Sequence, residues 1–138
     1  YQGLADNVAI YATTLKNEEI LQLFTDELKN IQQNPEKAIM YGSYQLDEPS
    51  WNGTKGEVLD NSGNGNHGTS KNGASTTGLN AFNGMSGLFD GVNDFIDAGN
   101  KTPLQNVFND GGTVSLWLRP DKNRNNNKRL LVKYSKTF

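Results

Sequence analysis

Asp60-Asn61-Ser62-Gly63-Asn64-Gly65-Asn66-His67-Gly68-Thr69, followed later by Leu88-Phe89-Asp90-Gly91-Val92-Asn93-Asp94-Phe95-Ile96-Asp97-Ala98-Gly99, decides the reading of this chain. Most residues of the first block are Gly, Asn or Asp. These tolerate φ > 0 and bond their own backbone, so the segment is made of turns. The second block alternates apolar and polar residues around Asp90-Gly91, a pair that suits a hairpin. Together the two blocks predict loop, strand, tight turn, strand.

Working outward, Thr113 to Leu118 has period two. Val114, Leu116 and Leu118 point one way and Thr113, Ser115 and Trp117 the other, which predicts a strand with one face buried. Asp110-Gly111-Gly112 and Arg119-Pro120-Asp121 punctuate its ends, and Asn123 to Asn127 reads as a polar hairpin loop before Leu130, Leu131 and Val132. At the other end, Leu4 to Ala12 reads as a short strand with Val8 and Ile10 on one face. One amphipathic helix follows, roughly Asn17 to Gln33, with Ile20, Phe24, Leu28 and Ile31 forming an apolar stripe expected to pack. Glu18 and Glu19 suit its positive N-terminal end, and Asn34-Pro35 ends it. Regular strand and turn alternation otherwise predicts an antiparallel, all-β architecture.

The turn-rich block and Phe89-Asp90-Gly91-Val92-Asn93-Asp94-Phe95-Ile96 resemble the opening half of a laminin-G-like domain of the concanavalin A-like lectin/glucanase superfamily. There a D-S-S-G-N-G-N-x-G loop precedes F-D-G-V-D-D-Y-V, and Asn93 here replaces the first Asp of the pair. Tyr44-Gln45-Leu46-Asp47-Glu48 matches the entry strand, Thr113 to Pro120 a core strand, and Arg129-Leu130-Leu131-Val132-Lys133 the next strand. The resemblance runs from about residue 39 to the end and implies a jelly-roll β-sandwich.

Leu4-Ala5-Asp6-Asn7-Val8-Ala9-Ile10-Tyr11 and Leu15-Lys16-Asn17-Glu18-Glu19-Ile20 resemble the last strand and closing helix of the same family. Asn7 stands for the second Asp of its motif, and Lys16 for the capping Ser. The end of one domain thus precedes the beginning of another. This predicts a tandem array cut in the middle: 1–33 finishing a preceding repeat, 34–38 a linker, and 39–138 the N-terminal part of the next, incomplete domain. The rival account is circular permutation, in which the N-terminal strand takes the place of the missing last strand within one sandwich.

The 138 residues, 34% of them hydrophobic, suffice for one domain with a modest core, and a net charge of -2 gives no electrostatic reason to expect nucleic acid. No run approaches the ~18 apolar residues of a membrane span, so no membrane insertion is expected. The absence of cysteine excludes disulfides, thiolate metal sites and a Cys nucleophile. Asn- and Gly-rich loops fit a protein of an extracellular, cell-surface or virion setting. Asn52-Gly53-Thr54 and Asn100-Lys101-Thr102 match the glycosylation pattern, as chance predicts in an Asn-rich chain.

Hard cations take carboxylate and carbonyl oxygens arranged on turns, and such groups concentrate at Asp47, Asp60, Asn61, Asn64, Asp90, Asn93 and Asp94. The metal candidates are Asp47, Asp60, Asp90, Asn93 and Asp94, with calcium as the ion; turn-forming is the competing role of the same residues. The resemblance implies a structural calcium near the entry and last strands, pointing to Asp47 and Asp6. No enzyme is expected. Retaining glycosidases need two carboxylates roughly 5 Å apart, whereas Asp47 and Glu48 are adjacent, Glu57 and Asp60 fall on opposite faces if extended, and His67 lies in a Gly-Asn loop. Sugar recognition uses aromatic faces with amide and backbone groups at the hydroxyls. Trp51, in the polar turn Pro49-Ser50-Trp51-Asn52-Gly53, leads the ligand-binding candidates with Asn52 and Tyr44. The expected function is a carbohydrate-binding or adhesion module whose partners are a glycan or surface protein and neighbouring repeats of the same chain. The alternatives are a structural spacer or an accessory domain of a glycoside hydrolase.

Overall fold

The computed structural model describes residues 2–11, 14–26, 40–79, 81, 83–109, 111–120 and 129–133. Within them the chain is mostly antiparallel β-sheet. In order come β1 (Gln2–Tyr11), α1 (Asn17–Asp26), β2 (Met40–Tyr44), β3 (Thr69–Lys71), β4 (Ser75–Thr77), β5 (Ser86–Asp90), β6 (Phe95–Asp97), the single turn α2 (Thr102–Gln105) and β7 (Thr113–Pro120).

β1 is the hub. Along one side lies β7, from Gly3 opposite Pro120 to Tyr11 opposite Thr113, with an irregularity between Asp6 and Ala9. The other side is shared end to end: β5 takes Gln2 to Ala5, and β2 takes Val8 to Tyr11. β4 extends the sheet beyond β5, and β3 pairs with β6 in a separate two-stranded sheet. The N-terminal strand therefore lies in one sheet with strands from 40–120.

The core gathers where β1 and β2 meet the loop after β2. Ala5, Ile10, Tyr44, Leu46, Trp51, Val58 and Val107 are buried together, and Phe89, Ile96 and Val114 pack against them. Leu46 sits there because its backbone turns left-handed, φ 61°. A bulky residue in that region is strained, and burial of its side chain to 1% exposure offsets the strain. The same turn corrects the entry strand, which ends at Tyr44 rather than running to Glu48.

Asp90-Gly91 is a turn, but the strands beside it do not pair. β5 bonds to β1 and β4 while β6 bonds to β3, so the expected hairpin is a corner between two sheets. Asn72, φ 59°, and Gly73, φ 108°, make a second such corner between β3 and β4. β7 forms as expected, yet neither face is buried: its residues are half-buried to exposed throughout. Arg129 to Lys133 are not a strand, and Leu130, Leu131 and Val132 are exposed. On α1, Ile20 and Leu21 are 38% and 67% exposed, so the stripe is not packed at these positions. Phe24 has no described side chain, and Leu28, Ile31 and 34–38 lie outside the described residues. No described helix is long and apolar enough to cross a membrane.

Candidate functional site

Glu57 shapes a cleft beside β3. Its Oε2 accepts from the Asn52 amide at 2.8 Å, and its Oε1 accepts from the Gly53 amide at 2.8 Å and the Ser70 hydroxyl at 2.6 Å. One carboxylate thus ties the loop after Trp51 to β3. Burial pushes its pKa up, but these donors outweigh that and hold it below the ordinary carboxylate value. Between the tied segments lies a cleft of about 230 Å³, with residues 51–53 on one side and Ser70 and the corner 72–75 on the other.

Trp51 forms a wall of this cleft rather than a platform. It is 8% exposed, its Nε1 donates to Glu48 Oε2 at 3.0 Å, and its ring packs on β5. Gly87 makes that approach feasible, since a Cβ there would stand 3.0 Å from Trp51 Cη2. Asn52 is exposed at the rim, its Oδ1 accepting from the Thr54 amide and hydroxyl. Asn72 donates to the Asn93 carbonyl at 2.8 Å, fixing the opposite rim. The lining side chains carry no charge.

Tyr44 is elsewhere. It is 5% exposed, and its hydroxyl donates to the Asn66 carbonyl at 2.6 Å. Burial first, and the Asp60 carboxylate second, push its phenol far above the ordinary value. Trp51 and Asn52 are thus brought to one cleft and Tyr44 is not.

The metal candidates are dispersed in the same way. Asp60 is 5% exposed and uses both oxygens: Oδ1 accepts from the Ser43 and Ser62 amides, each at 2.9 Å, and Oδ2 from the Ser62 hydroxyl and the Asn66 amide. Burial raises its pKa, but these donors win and lower it below the ordinary value. His67, on the same loop, accepts from the Asp60 amide through Nδ1 at 2.9 Å. Asp90 Oδ1 accepts from the Val92 amide at 2.7 Å, and Asp94 Oδ2 from the Asp90 amide at 3.0 Å. The Asn93 carbonyl is taken by Asn72. Asp94 Oδ1 is buried without a hydrogen-bond partner. Asp47 Oδ1 accepts from the Met85 amide at 2.8 Å, and Asp6 Oδ2 accepts from the neighbouring Ser86 hydroxyl at 3.3 Å. Among the described residues no three His, Asp or Glu side chains converge to hold a metal.

The four acids 47, 48, 57 and 60 serve four different places: Asp47 meets Met85, Glu48 meets Trp51 and Leu59, Glu57 meets the cleft loop and Asp60 its own turn. Sequence reasoning singled out neither Ser70 nor Asn72, and treated Glu57 only as a possible catalytic acid. The Asn72-Gly73 pair is a strong turn signal and was the available clue to the corner. Nothing local marks Glu57 as the group that joins them. Comparison with protein-family models, curated proteins and solved structures found no match.

Proposed function

We propose that this chain is a non-catalytic, laminin-G-like carbohydrate-binding or adhesion module of a larger extracellular or virion surface protein. The observation that carries this reading is the uncharged cleft held open by Glu57, with the Asn52 amide, the Asn72 corner and the Trp51 edge around it. Amide and hydroxyl groups at a cleft with one aromatic wall suit neutral sugar hydroxyls. Its volume is below the roughly 300–1,000 Å³ of pockets for drug-sized molecules, which favours a single sugar ring over a long chain.

The test is a glycan array probed with the whole chain, then with Asn52→Ala and with Ser75→Ala on the opposite side of the cleft. Each substitution removes about one hydrogen bond, so each should weaken binding about tenfold. Binding that neither substitution changes would move the site away from the cleft. No glycan binding at all would favour the spacer reading, for which the exposed Leu130, Leu131 and Val132 offer a protein contact.

A calcium ion belongs to this proposal at one place. Asp60 does not fit it, because its acceptors are used. Asp47 and Asp6 fit better, since they reach consecutive residues, Met85 and Ser86. When bound, the ion would supply charge neutralisation between those acids, with carbonyls and water completing the six to eight oxygens that calcium takes.

A further inference from the structure

We propose that Asn52 modifies itself: the Gly53 amide nitrogen closes on the Asn52 side-chain carbonyl, with Glu57 as base and Thr54 as oxyanion donor, and the side-chain nitrogen leaves as ammonia. The chain carries four Asn-Gly pairs, beginning at Asn52, Asn64, Asn72 and Asn83. In each, the following glycine has no Cβ to obstruct its nitrogen, so a five-membered ring can close between the two neighbours. At Asn52 the fold adds the groups that this closure needs.

The nucleophile, the Gly53 amide, donates to Glu57 Oε1 at 2.8 Å, within the range at which a base takes a proton. The electrophile is polarised, since Asn52 Oδ1 accepts from the Thr54 amide at 3.0 Å and from the Thr54 hydroxyl at 2.5 Å. Two donors on one carbonyl oxygen stabilise the negative charge that grows there during attack. The base is itself held in place: the Glu57 amide donates to the Thr54 carbonyl at 3.2 Å, and the Ser70 hydroxyl and Asn52 amide anchor the carboxylate. Asn52, Gly53 and Thr54 are exposed, so water reaches them.

The other pairs are built differently. Asn64 Nδ2 donates to the Met40 carbonyl at 2.8 Å and Asn72 Nδ2 to the Asn93 carbonyl at 2.8 Å, which ties down the leaving nitrogen. Beside Asn83, the Asp47 carboxylate accepts from the Met85 amide, one residue beyond Gly84.

In the step, Glu57 takes the Gly53 proton as the nitrogen bonds to Asn52 Cγ, and the resulting oxyanion rests on the two Thr54 donors. The intermediate collapses with cleavage of the Cγ–Nδ2 bond, and the proton passes to the departing nitrogen to give ammonia. Water then opens the succinimide at either carbonyl, leaving aspartate linked through its α- or its β-carboxyl. The outcome is a carboxylate at the rim of a cleft whose lining side chains carry no charge.

The whole chain is incubated at neutral pH, folded and in urea, and each Asn-Gly pair is followed over time by peptide mapping with mass spectrometry. In urea the four pairs should convert alike, since each presents the same reacting dipeptide. In the folded chain Asn52 should convert about tenfold or more faster than the other three and than itself in urea. Thr54→Val keeps the side-chain shape and removes the hydroxyl donor. It should slow Asn52 about tenfold and leave the other three rates unchanged. Glu57→Gln should bring Asn52 down to its rate in urea; if that variant does not fold, Thr54→Val carries the test. Conversion of Asn52 no faster in the folded chain than in urea overturns the proposal. So does a Thr54→Val chain, folded by circular dichroism, that converts Asn52 at the parent rate.

Discussion

Asp60 shows what a single residue type can and cannot reveal. Its place in a Gly-Asn block marks it as a turn former or an oxygen ligand, and the sequence alone leaves both open. What separates the two roles is where its four acceptor positions go, and one of them goes to Ser43, a strand away. That bond depends on the folded path of β2, so no local pattern carries it. Asp60→Asn keeps the shape but turns an Nδ2 donor toward the Asn66 amide or the Ser43 amide. Leaving one buried donor unmet costs about 1–3 kcal/mol. The folded pKa of Asp60 lies below its ordinary value, so its ionised form stabilises the fold fully above about pH 4, and that contribution is lost as pH falls through the folded value. Thermal unfolding should therefore show Asp60→Asn several degrees below the parent at pH 7, with a smaller gap at pH 3. An equal gap at both pH values would mean that the charge plays no part.

Elements were more legible than their partners. The periods of β1, α1 and β7 are local properties of the chain: β1 and β7 form where the alternation places them, and α1 forms over Asn17–Asp26, the part of the expected helix that is described. Asp90-Gly91 and Asn72-Gly73 likewise make turns because their residues accept positive φ, as seen at Gly91 and at both residues of the second pair. A turn signal says nothing about which strands bond, and both turns lead from one sheet to the other. The stripe of α1 predicted burial, but a stripe is covered only if another element arrives, and Ile20 and Leu21 remain exposed. Two substitutions of opposite consequence follow. Ala9→Pro removes a ladder bond on the β7 side of the central strand, where proline is not tolerated. It should cost about 3 kcal/mol or more and leave the chain unfolded or nearly so by circular dichroism. Leu21→Ala, on an exposed helix face, should shift stability by no more than about 0.5 kcal/mol. A large loss from Leu21→Ala would mean that this face is covered in solution.

For the whole molecule, all-β character was readable because it sums many local signals, whereas the completeness of a sandwich depends on contacts that no period encodes. Among the described residues the second sheet is β3 and β6, three residues each, and β7 is half-buried to exposed along its length. The molecule therefore depends on how β1 is held against residues 40–120, and Asp6 and Asp47 meet β5 and the residue before it from those two parts of the chain. An ion shared by these acids would bind the assembled sheet and not the separated parts, so it would stabilise by mass action on the folded state. At a hundredfold excess over its dissociation constant that amounts to about 2.7 kcal/mol, or several degrees in Tm for a chain of this size. Melting the whole chain in calcium and in chelator measures it directly. A rise with calcium that Asp47→Asn abolishes and Asp94→Asn preserves would place the ion at the β1 junction. A rise abolished by Asp94→Asn instead would place it at the buried, unpartnered Asp94 oxygen. Identical melting with and without the ion would leave these acids to their hydrogen bonds within the protein, and the glycan cleft would then stand on Glu57 and its neighbours alone.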